Sequence, residues 1–252
     1  MAMQKTWDLG MDEMSSPATL KAAFAEFVAM ALFVFIGVGS IAVAAAGGGI
    51  LAIGLAHGLA YALLVAGIFA ISGGHLNPAV TFAMLITGRI TLMRGVLYVA
   101  AQMIGAVVGM LLLRAFLLDE LVNGAAIGAG GHAVAAQVVP SDLAAVGLEA
   151  TGTFILVWTF FAVAVTPRNN SGVIAPLFIG LAVLVVHLVL VPLTGAGINP
   201  ARTFGPALVN DIWTDHWVYW VGPLVGAAIA GISYYVLYLW EEERPAATTT
   251  TV

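Results

Sequence analysis

The tripeptide Asn-Pro-Ala occurs twice in the sequence, as Asn77-Pro78-Ala79 and as Asn199-Pro200-Ala201. Asparagine is a preferred N-cap because its side-chain oxygen accepts a backbone N–H, and proline suits the next position, where its missing N–H would be unpaired anyway. Each motif therefore predicts the start of a helix. The amide N–H₂ of each asparagine is left free in this interpretation, so it could donate a hydrogen bond to a small polar molecule.

Three charged residues lie inside otherwise apolar stretches: Arg202, Glu26 and Glu149. An arginine stays ionised at any relevant pH and is costly in lipid, so we expect Arg202, three residues after Asn199, to line water. The two glutamates could relay protons, but they recur at equivalent positions of a repeat described below. We therefore favour a scaffolding role, in which they accept hydrogen bonds from the loops that precede the two tripeptides.

The remaining reactive side chains do not assemble a catalytic pattern. The chain has no cysteine, which excludes disulfides, thiolate metal sites and thiol catalysis. Its five histidines are dispersed, and no His-x-x-x-His or Glu-x-x-His pair is present. An intramembrane hydrolase would need a nucleophile with an activating base, or a metal cluster. We therefore expect no enzyme activity, no metal and no cofactor.

The composition excludes an ordinary soluble domain. Of 252 residues, 62% are hydrophobic and only 8% are charged, and the mean hydropathy is +1.05. A globular chain of this length carries roughly a quarter charged residues, so lipid must cover this one. The formal net charge of −5 leaves no basic face for nucleic acid.

Six apolar runs are long enough to span a membrane, which takes about 20 helical residues. They are Thr19 to Ala45, Ile50 to Ile71, Leu92 to Leu117, Leu143 to Val165, Val173 to Leu193, and Trp217 to Trp240. Cytoplasmic loops retain Lys and Arg. Six basic residues fall on the side of the termini, namely Lys5, Lys21, Arg89, Arg94, Arg168 and Arg244. Both termini are therefore expected in the cytoplasm, and the sequence does not identify the membrane.

An internal repeat organises these spans. The second Asn-Pro-Ala follows the first by 122 positions, Glu149 follows Glu26 by 123, and Gly226 follows Gly105 by 121. Each copy has three spans, so the second enters the membrane upside down. We expect a tail at residues 1–17, a first repeat at 18–118, an extracellular loop at 119–142, a second repeat at 143–240, and a cytoplasmic tail at 241–252.

The segments after the two tripeptides are too short to cross. Asn77 to Thr87 and Asn199 to Val209 would each form a helix of about 16 Å, and two such half-helices entering from opposite faces would meet near the midplane. Non-helical backbone at that depth is tolerated only where protein buries it or a water-filled cavity wets it. The predicted fold is therefore an all-α membrane protein with six transmembrane helices and two re-entrant half-helices in an inverted repeat.

These features resemble the aquaporin, or major intrinsic protein, family. The resemblance covers about Ala18 to Trp240 and is carried by Ser72-Gly73-Gly74-His75-Leu76-Asn77-Pro78-Ala79-Val80-Thr81 and by Gly195-Ala196-Gly197-Ile198-Asn199-Pro200-Ala201-Arg202-Thr203-Phe204-Gly205-Pro206-Ala207. It implies a passive water channel that excludes protons and ions, assembled as a homotetramer in the lipid bilayer with one pore in each subunit. Two Gly-x-x-x-Gly pairs, Gly105 with Gly109 and Gly222 with Gly226, could pack helices within one subunit or between subunits.

The resemblance also implies a selectivity filter in which His57, His187 and Ala196 join Arg202 to form a polar, donor-rich ring. His132 resembles a histidine that reinforces this filter in plant tonoplast-type members, where ammonia permeates beside water. His187 departs from that subgroup, which usually carries an aliphatic residue there, so ammonia is only a secondary candidate permeant. Glycerol conductors usually place Asp directly after the arginine, where this chain has Thr203, so we expect glycerol to be excluded.

Two other membrane functions remain open from the sequence. A secondary transporter also uses inverted repeats and broken helices, but it would need a charged substrate or coupling-ion ligand near Asn77 and Asn199. A purely structural membrane protein would have the same helices and a closed pore. A measurement of osmotic water flow separates a channel from both alternatives.

Overall fold

The computed structural model describes residues 9–117, 133–167 and 171–240, and gives only the backbone of Ala42 and Val43. The predicted extracellular loop lies largely outside these residues, and the predicted C-terminal tail lies entirely outside them. Within the described residues the regular structure is helical and no strand is present.

Eight α-helices form the body of the described chain. They are α1 (Pro17–Val43), α2 (Gly49–Ser72), α3 (Pro78–Ile86), α4 (Leu92–Phe116), α5 (Asp142–Phe160), α6 (Ala175–Thr194), α7 (Pro200–Asn210) and α8 (Val218–Tyr234). Short π-helical turns continue three of the helices at Ala44–Gly48, Phe161–Val165 and Tyr235–Leu239. With these turns, six helices are long and apolar enough to cross a membrane. The six predicted spans are confirmed. The largest boundary error concerns the second span, which begins at Ala44 and not at Ile50.

Helices α3 and α7 are the two half-helices. They contain nine and 11 residues, so each is about 13 to 16 Å long and neither can cross a bilayer alone. Each half-helix packs against the third span of the other repeat. Helix α3 of the first repeat lies against α8, and α7 of the second repeat lies against α4. This exchange ties the two repeats together around the half-helices.

The long helices follow the same inverted symmetry. Helix α1 packs against α4 as α5 packs against α8, while α2 and α6, which are equivalent, pack against each other. Two glycines at matching positions allow the first kind of contact. A Cβ atom on Gly105 would collide with the Phe27 carbonyl oxygen, and one on Gly226 would collide with the Ala150 carbonyl oxygen. The glycine pairs of α4 and α8 therefore pack helices within one chain.

Part of the predicted N-terminal tail is folded against the bundle. Residues Met11–Ser15 form a short 3-10 helix, and the Met93 backbone N–H donates to the Leu9 carbonyl oxygen over 3.0 Å. Arg94 pairs with Glu13 at 2.7 Å. These contacts join the segment before α1 to the beginning of α4.

Candidate functional site

The two half-helices begin end to end at Asn77 and Asn199. The side-chain oxygen of Asn77 accepts the Ala79 backbone N–H at 2.8 Å, and that of Asn199 accepts the Ala201 N–H at 3.1 Å and the Arg202 N–H at 3.3 Å. Pro78 and Pro200 occupy the first helical positions, as N-cap chemistry predicts. The two asparagines are buried, as are the prolines and alanines that follow them.

The amide nitrogens of the asparagines join the two half-helices to each other. Asn77 Nδ2 donates to the Ile198 carbonyl oxygen at 2.8 Å, and Asn199 Nδ2 donates to the Leu76 carbonyl oxygen at 2.8 Å. The sequence-based expectation that these N–H₂ groups are free is therefore wrong for one N–H of each amide. At most one N–H of each amide remains for a molecule beside the junction.

The carbonyl groups that accept these bonds belong to residues in an unusual backbone conformation. Leu76 has φ 50° and Ile198 has φ 39°, and both are non-glycine residues in the left-handed region. Such a conformation costs on the order of 1–3 kcal/mol and persists only where the surroundings impose it. Here it turns each carbonyl oxygen toward the asparagine of the other half-helix.

Glu26 imposes this conformation on the first loop. Its carboxylate accepts the backbone N–H groups of His75 at 2.9 Å and Leu76 at 2.7 Å, the Ser72 hydroxyl at 2.6 Å, and Gln102 Nε2 at 2.8 Å. Bonds to a carboxylate are stronger than those between neutral groups. The bonds from Ser72, His75 and Leu76 fix the loop to the buried Glu26, and the bond from Gln102 fastens the same carboxylate to α4.

Glu149 does the same for the second loop with one donor fewer. It accepts the backbone N–H groups of Gly197 at 2.9 Å and Ile198 at 2.6 Å, and the Thr194 hydroxyl at 2.6 Å. Position 223, which corresponds to Gln102 by the 121-residue offset, holds a proline that lacks a side-chain donor. Tyrosines fasten both loops further, since Tyr98 donates to the Ser72 carbonyl at 3.0 Å and Tyr219 to the Thr194 carbonyl at 2.7 Å.

A second cluster joins α2, α6 and α7 through His57, His187 and Arg202. Arg202 Nη2 lies 2.9 Å and Nε lies 3.2 Å from His57 Nε2. The two imidazole rings are stacked, with centroids 4.2 Å apart. Each of the three side chains is at most 1% exposed. The structure thus brings together, from three elements, three of the side chains that the resemblance assigned to the filter.

The hydrogen-bond partners determine where the protons lie on these imidazoles. His57 Nδ1 is 2.9 Å from the Ile53 carbonyl oxygen, and His187 Nδ1 is 2.8 Å from the Val183 carbonyl oxygen. A carbonyl only accepts, so Nδ1 carries the proton in both rings, and His57 Nε2 must accept from Arg202. In the neutral rings both Nε2 atoms are acceptors. The expected donor-rich ring is therefore a mixture of one strong donor and two acceptors.

His187 Nε2 has no hydrogen-bond partner in the described part of the chain although it is buried. A buried polar atom without a partner carries a penalty of about 1–3 kcal/mol unless something else binds it. This atom lies on the ring that stacks against His57. It is therefore the acceptor of this cluster that a small molecule could use.

The other residues predicted for the filter are not joined to this cluster in the same way. Ala196 lies in the loop before Asn199, is buried and has φ 53°, and its N–H donates to Thr194 Oγ1 at 3.4 Å. His132 lies outside the described residues. Across the residues that the structure describes, no three His, Asp or Glu side chains are placed to hold a metal ion.

Several residues of the site were not predicted from the sequence. Leu76 and Ile198 supply the carbonyls of the junction, while Ser72, Gln102 and Thr194 support the two glutamates. One pattern in the sequence indicates the hydroxyl groups. Ser72 lies four residues before Leu76, and 122 positions later Thr194 lies four residues before Ile198. The roles of Leu76 and Ile198 could not be recognised from the sequence, because an apolar side chain does not indicate a positive φ.

Comparison with known proteins places these motifs in a family. The model of the family described as major intrinsic protein matches residues 13–234. The chain is 45% identical over 237 residues to the maize protein named aquaporin TIP4-4, with 90% of each chain covered. It is 42% identical to the probable aquaporin TIP3-2 of Arabidopsis thaliana, with 95% of this chain and 91% of that protein covered.

A solved structure supports the fold independently. The aquaglyceroporin from Plasmodium falciparum superposes with a TM-score of 0.76 at 22% sequence identity, and the alignment covers 89% of this chain and 98% of the other. At this level of identity the likeness concerns the arrangement of the helices alone.

The loop-fixing role of Glu149 predicts a stability change. Glu149→Gln is expected to lower the free energy of unfolding by about 3 kcal/mol, because the amide turns an N–H₂ group toward donors that need an acceptor. Equilibrium unfolding in mixed detergent micelles, followed by tryptophan fluorescence, measures this change. Asp142→Asn, which alters an exposed carboxylate of the same helix, is the control and should cost about 1 kcal/mol or less. Equal losses in the two variants would contradict the role.

Proposed function

Because the chain belongs to the major intrinsic protein family, we propose that it is a passive channel that carries water through the membrane and excludes protons and ions. The observation that carries this proposal is the junction of the half-helices, where each asparagine caps its own helix and donates to the loop of the other. This arrangement places two helix N-termini and two amide groups at one point of a multi-pass membrane protein.

The junction has the electrostatics to orient water. Each helix N-terminus carries about half a positive elementary charge, and the two termini face one another here. A water molecule beside them is attracted through its oxygen, and any asparagine N–H not engaged with the opposing loop can donate to that oxygen. Its hydrogens then point away from the junction on both sides.

The same electrostatics opposes cations. The positive ends of α3 and α7 repel hydronium and metal ions, and an apolar wall supplies no replacement for a hydration shell. Arg202 adds a full positive charge close to the second terminus. The charged groups at the loops, Glu26 and Glu149, are occupied by the loop N–H and hydroxyl donors. This occupation favours a channel over a secondary transporter, which would use such groups for a substrate or coupling ion.

We place the selectivity filter at the cluster of His57, His187 and Arg202, with Ala196 in the adjoining loop. Arg202 donates, and His187 Nε2 accepts, so a permeating water can form hydrogen bonds on two sides while it loses its own shell. Because the two imidazoles are stacked closely, we expect the passage beside them to be too narrow for glycerol. Ammonia, which also accepts and donates, is a second candidate permeant through the same ring.

The proposal includes the oligomeric state of the channel and its orientation in the membrane. The family resemblance supports a homotetramer with one pore in each subunit. The distribution of Lys and Arg supports cytoplasmic termini, with the filter on the opposite side of the junction.

Osmotic flow through purified protein in liposomes tests the proposal. Stopped-flow light scattering should record faster osmotic shrinkage than in protein-free liposomes, with a lower activation energy. A dye trapped in the same vesicles should record no faster proton leak, and ammonia uptake can be followed with it. Water flow equal to that of empty liposomes would exclude a channel.

Removing the charge of the filter should relax its selectivity. Arg202→Val is expected to raise urea entry roughly tenfold, which corresponds to a barrier lower by about 1.4 kcal/mol, and to give a measurable proton leak. Entry is measured in the same liposomes by light scattering. Lys21→Val removes an exposed cation from α1 and serves as the control. Unchanged urea entry would place Arg202 outside the filter.

Removing the stacked imidazole should widen the passage. His187→Ala deletes a fully buried ring that contacts His57, so entry of glycerol is expected to rise by about tenfold or more. Val189→Ala changes an exposed residue of the same helix and should leave glycerol excluded. Continued exclusion of glycerol by the His187 variant would show that another residue sets the width.

A further inference from the structure

The imidazole of His57 stands against a residue that has no side chain. Gly37 lies in α1, and a Cβ atom built on it would be 2.6 Å from His57 Nε2 and 2.8 Å from His57 Cδ2. Real side chains do not approach so closely, so any side chain at position 37 must displace the ring. The atom it meets first is the one that accepts the hydrogen bond from Arg202.

The surroundings of His57 leave the ring few directions in which to move. Its Nδ1 is tied to the Ile53 carbonyl at 2.9 Å, and the ring of Phe33, also in α1, lies nearly perpendicular to it at a centroid distance of 5.7 Å. On the other side the ring stacks on His187 at 4.2 Å. A group added at position 37 therefore pushes His57 away from α1, toward His187 and Arg202.

Comparison of the two repeats shows that the contact between Gly37 and His57 differs from ordinary helix packing. Gly105 and Gly226 occur at matching positions of the two repeats, and both face a backbone carbonyl of a neighbouring helix. The position that matches Gly37, at the 123-residue offset that relates Glu26 to Glu149, holds Phe160. That side chain is fully buried and its ring contacts His75. The fold therefore accepts a large side chain at this position of the second repeat. In the first repeat the position has no side chain, and the His57 ring lies beside it.

We propose that Gly37 is a positioning residue of the selectivity filter: by having no side chain, it leaves the space in which His57 holds Arg202 and thereby sets the width of the passage. The inference rests on the proposed channel function, because the width has a consequence only if molecules pass through it. It assigns to α1, which contributes none of the filter side chains predicted from the sequence, control over the geometry of the filter.

Gly37→Ala tests the proposal in proteoliposomes. Because the displaced ring narrows the passage, water permeability is expected to fall by roughly threefold to tenfold and its activation energy to rise. The parent protein must conduct water for this comparison. Absence of conduction by the parent would overturn the proposed function, whereas conduction by the parent with no change in Gly37→Ala would overturn only the present inference.

A double-mutant cycle with His57→Ala isolates the contact. In the His57→Ala background the added methyl group meets empty space, so Gly37→Ala should change neither water permeability nor the thermal midpoint. If Gly37→Ala fails to fold in the parent but folds beside His57→Ala, the rescue supports the proposal. An equal effect in both backgrounds, or misfolding in both, would assign Gly37 to helix packing and overturn it.

Two other glycines provide matched controls. Gly39, in the same helix, would place a Cβ atom 3.3 Å from the flexible Leu113 side chain, and a Cβ atom on Gly67 in α2 would meet no heavy atom within 4 Å. Gly39→Ala and Gly67→Ala should conduct water within about twofold of the parent. A loss in these variants as large as that in Gly37→Ala would make the effect a general consequence of replacing helical glycines, which contradicts the proposal.

Discussion

Backbone groups inside a membrane must find partners in the protein or in a water-filled cavity, because lipid supplies none. The bonds from Asn77 to the Ile198 carbonyl and from Asn199 to the Leu76 carbonyl satisfy this requirement at the point where the two half-helices begin. Without them, two helix ends and two loops would hold unsatisfied polar groups between the spans. The strained backbone before each asparagine, the glutamates that fix it and the crossed packing of the half-helices all serve this junction.

The two repeats are alike where they build the junction and differ where they would meet a permeating molecule. Glu26 and Glu149, Ser72 and Thr194, and Tyr98 and Tyr219 bind the loops in equivalent ways. The symmetry does not extend to Arg202, whose counterpart by the 122-residue offset is Val80. A scaffold shared by both repeats therefore supports the proposed filter on one side only, and the proposed exclusion of ions at the junction does not depend on the chemistry of that filter.

Much of the fold could be predicted from the sequence because its causes are local. Six apolar runs of spanning length, a proline after each capping asparagine and a repeat of about 122 residues determine the helices and their inversion. The proton positions on His57 and His187 could not be predicted, because they depend on carbonyl groups and on a guanidinium that approach from other turns and other helices. The expectation of free asparagine amides was wrong for the same reason, since the acceptor for each lies in the opposite repeat.

From its amino-acid sequence alone it follows that the chain lies in a membrane, which segments span it, where the two half-helices begin and which polar residues must find partners there. Composition and periodicity carry this information, because burial in lipid acts on each segment separately. Which partners these residues bind depends on how the helices pack in three dimensions. Arg202 meets His57 across 145 positions, and Asn77 meets Ile198 across 121. Contacts between residues so far apart in sequence depend on how the helices cross. The space that Gly37 leaves for His57 depends on the same crossing.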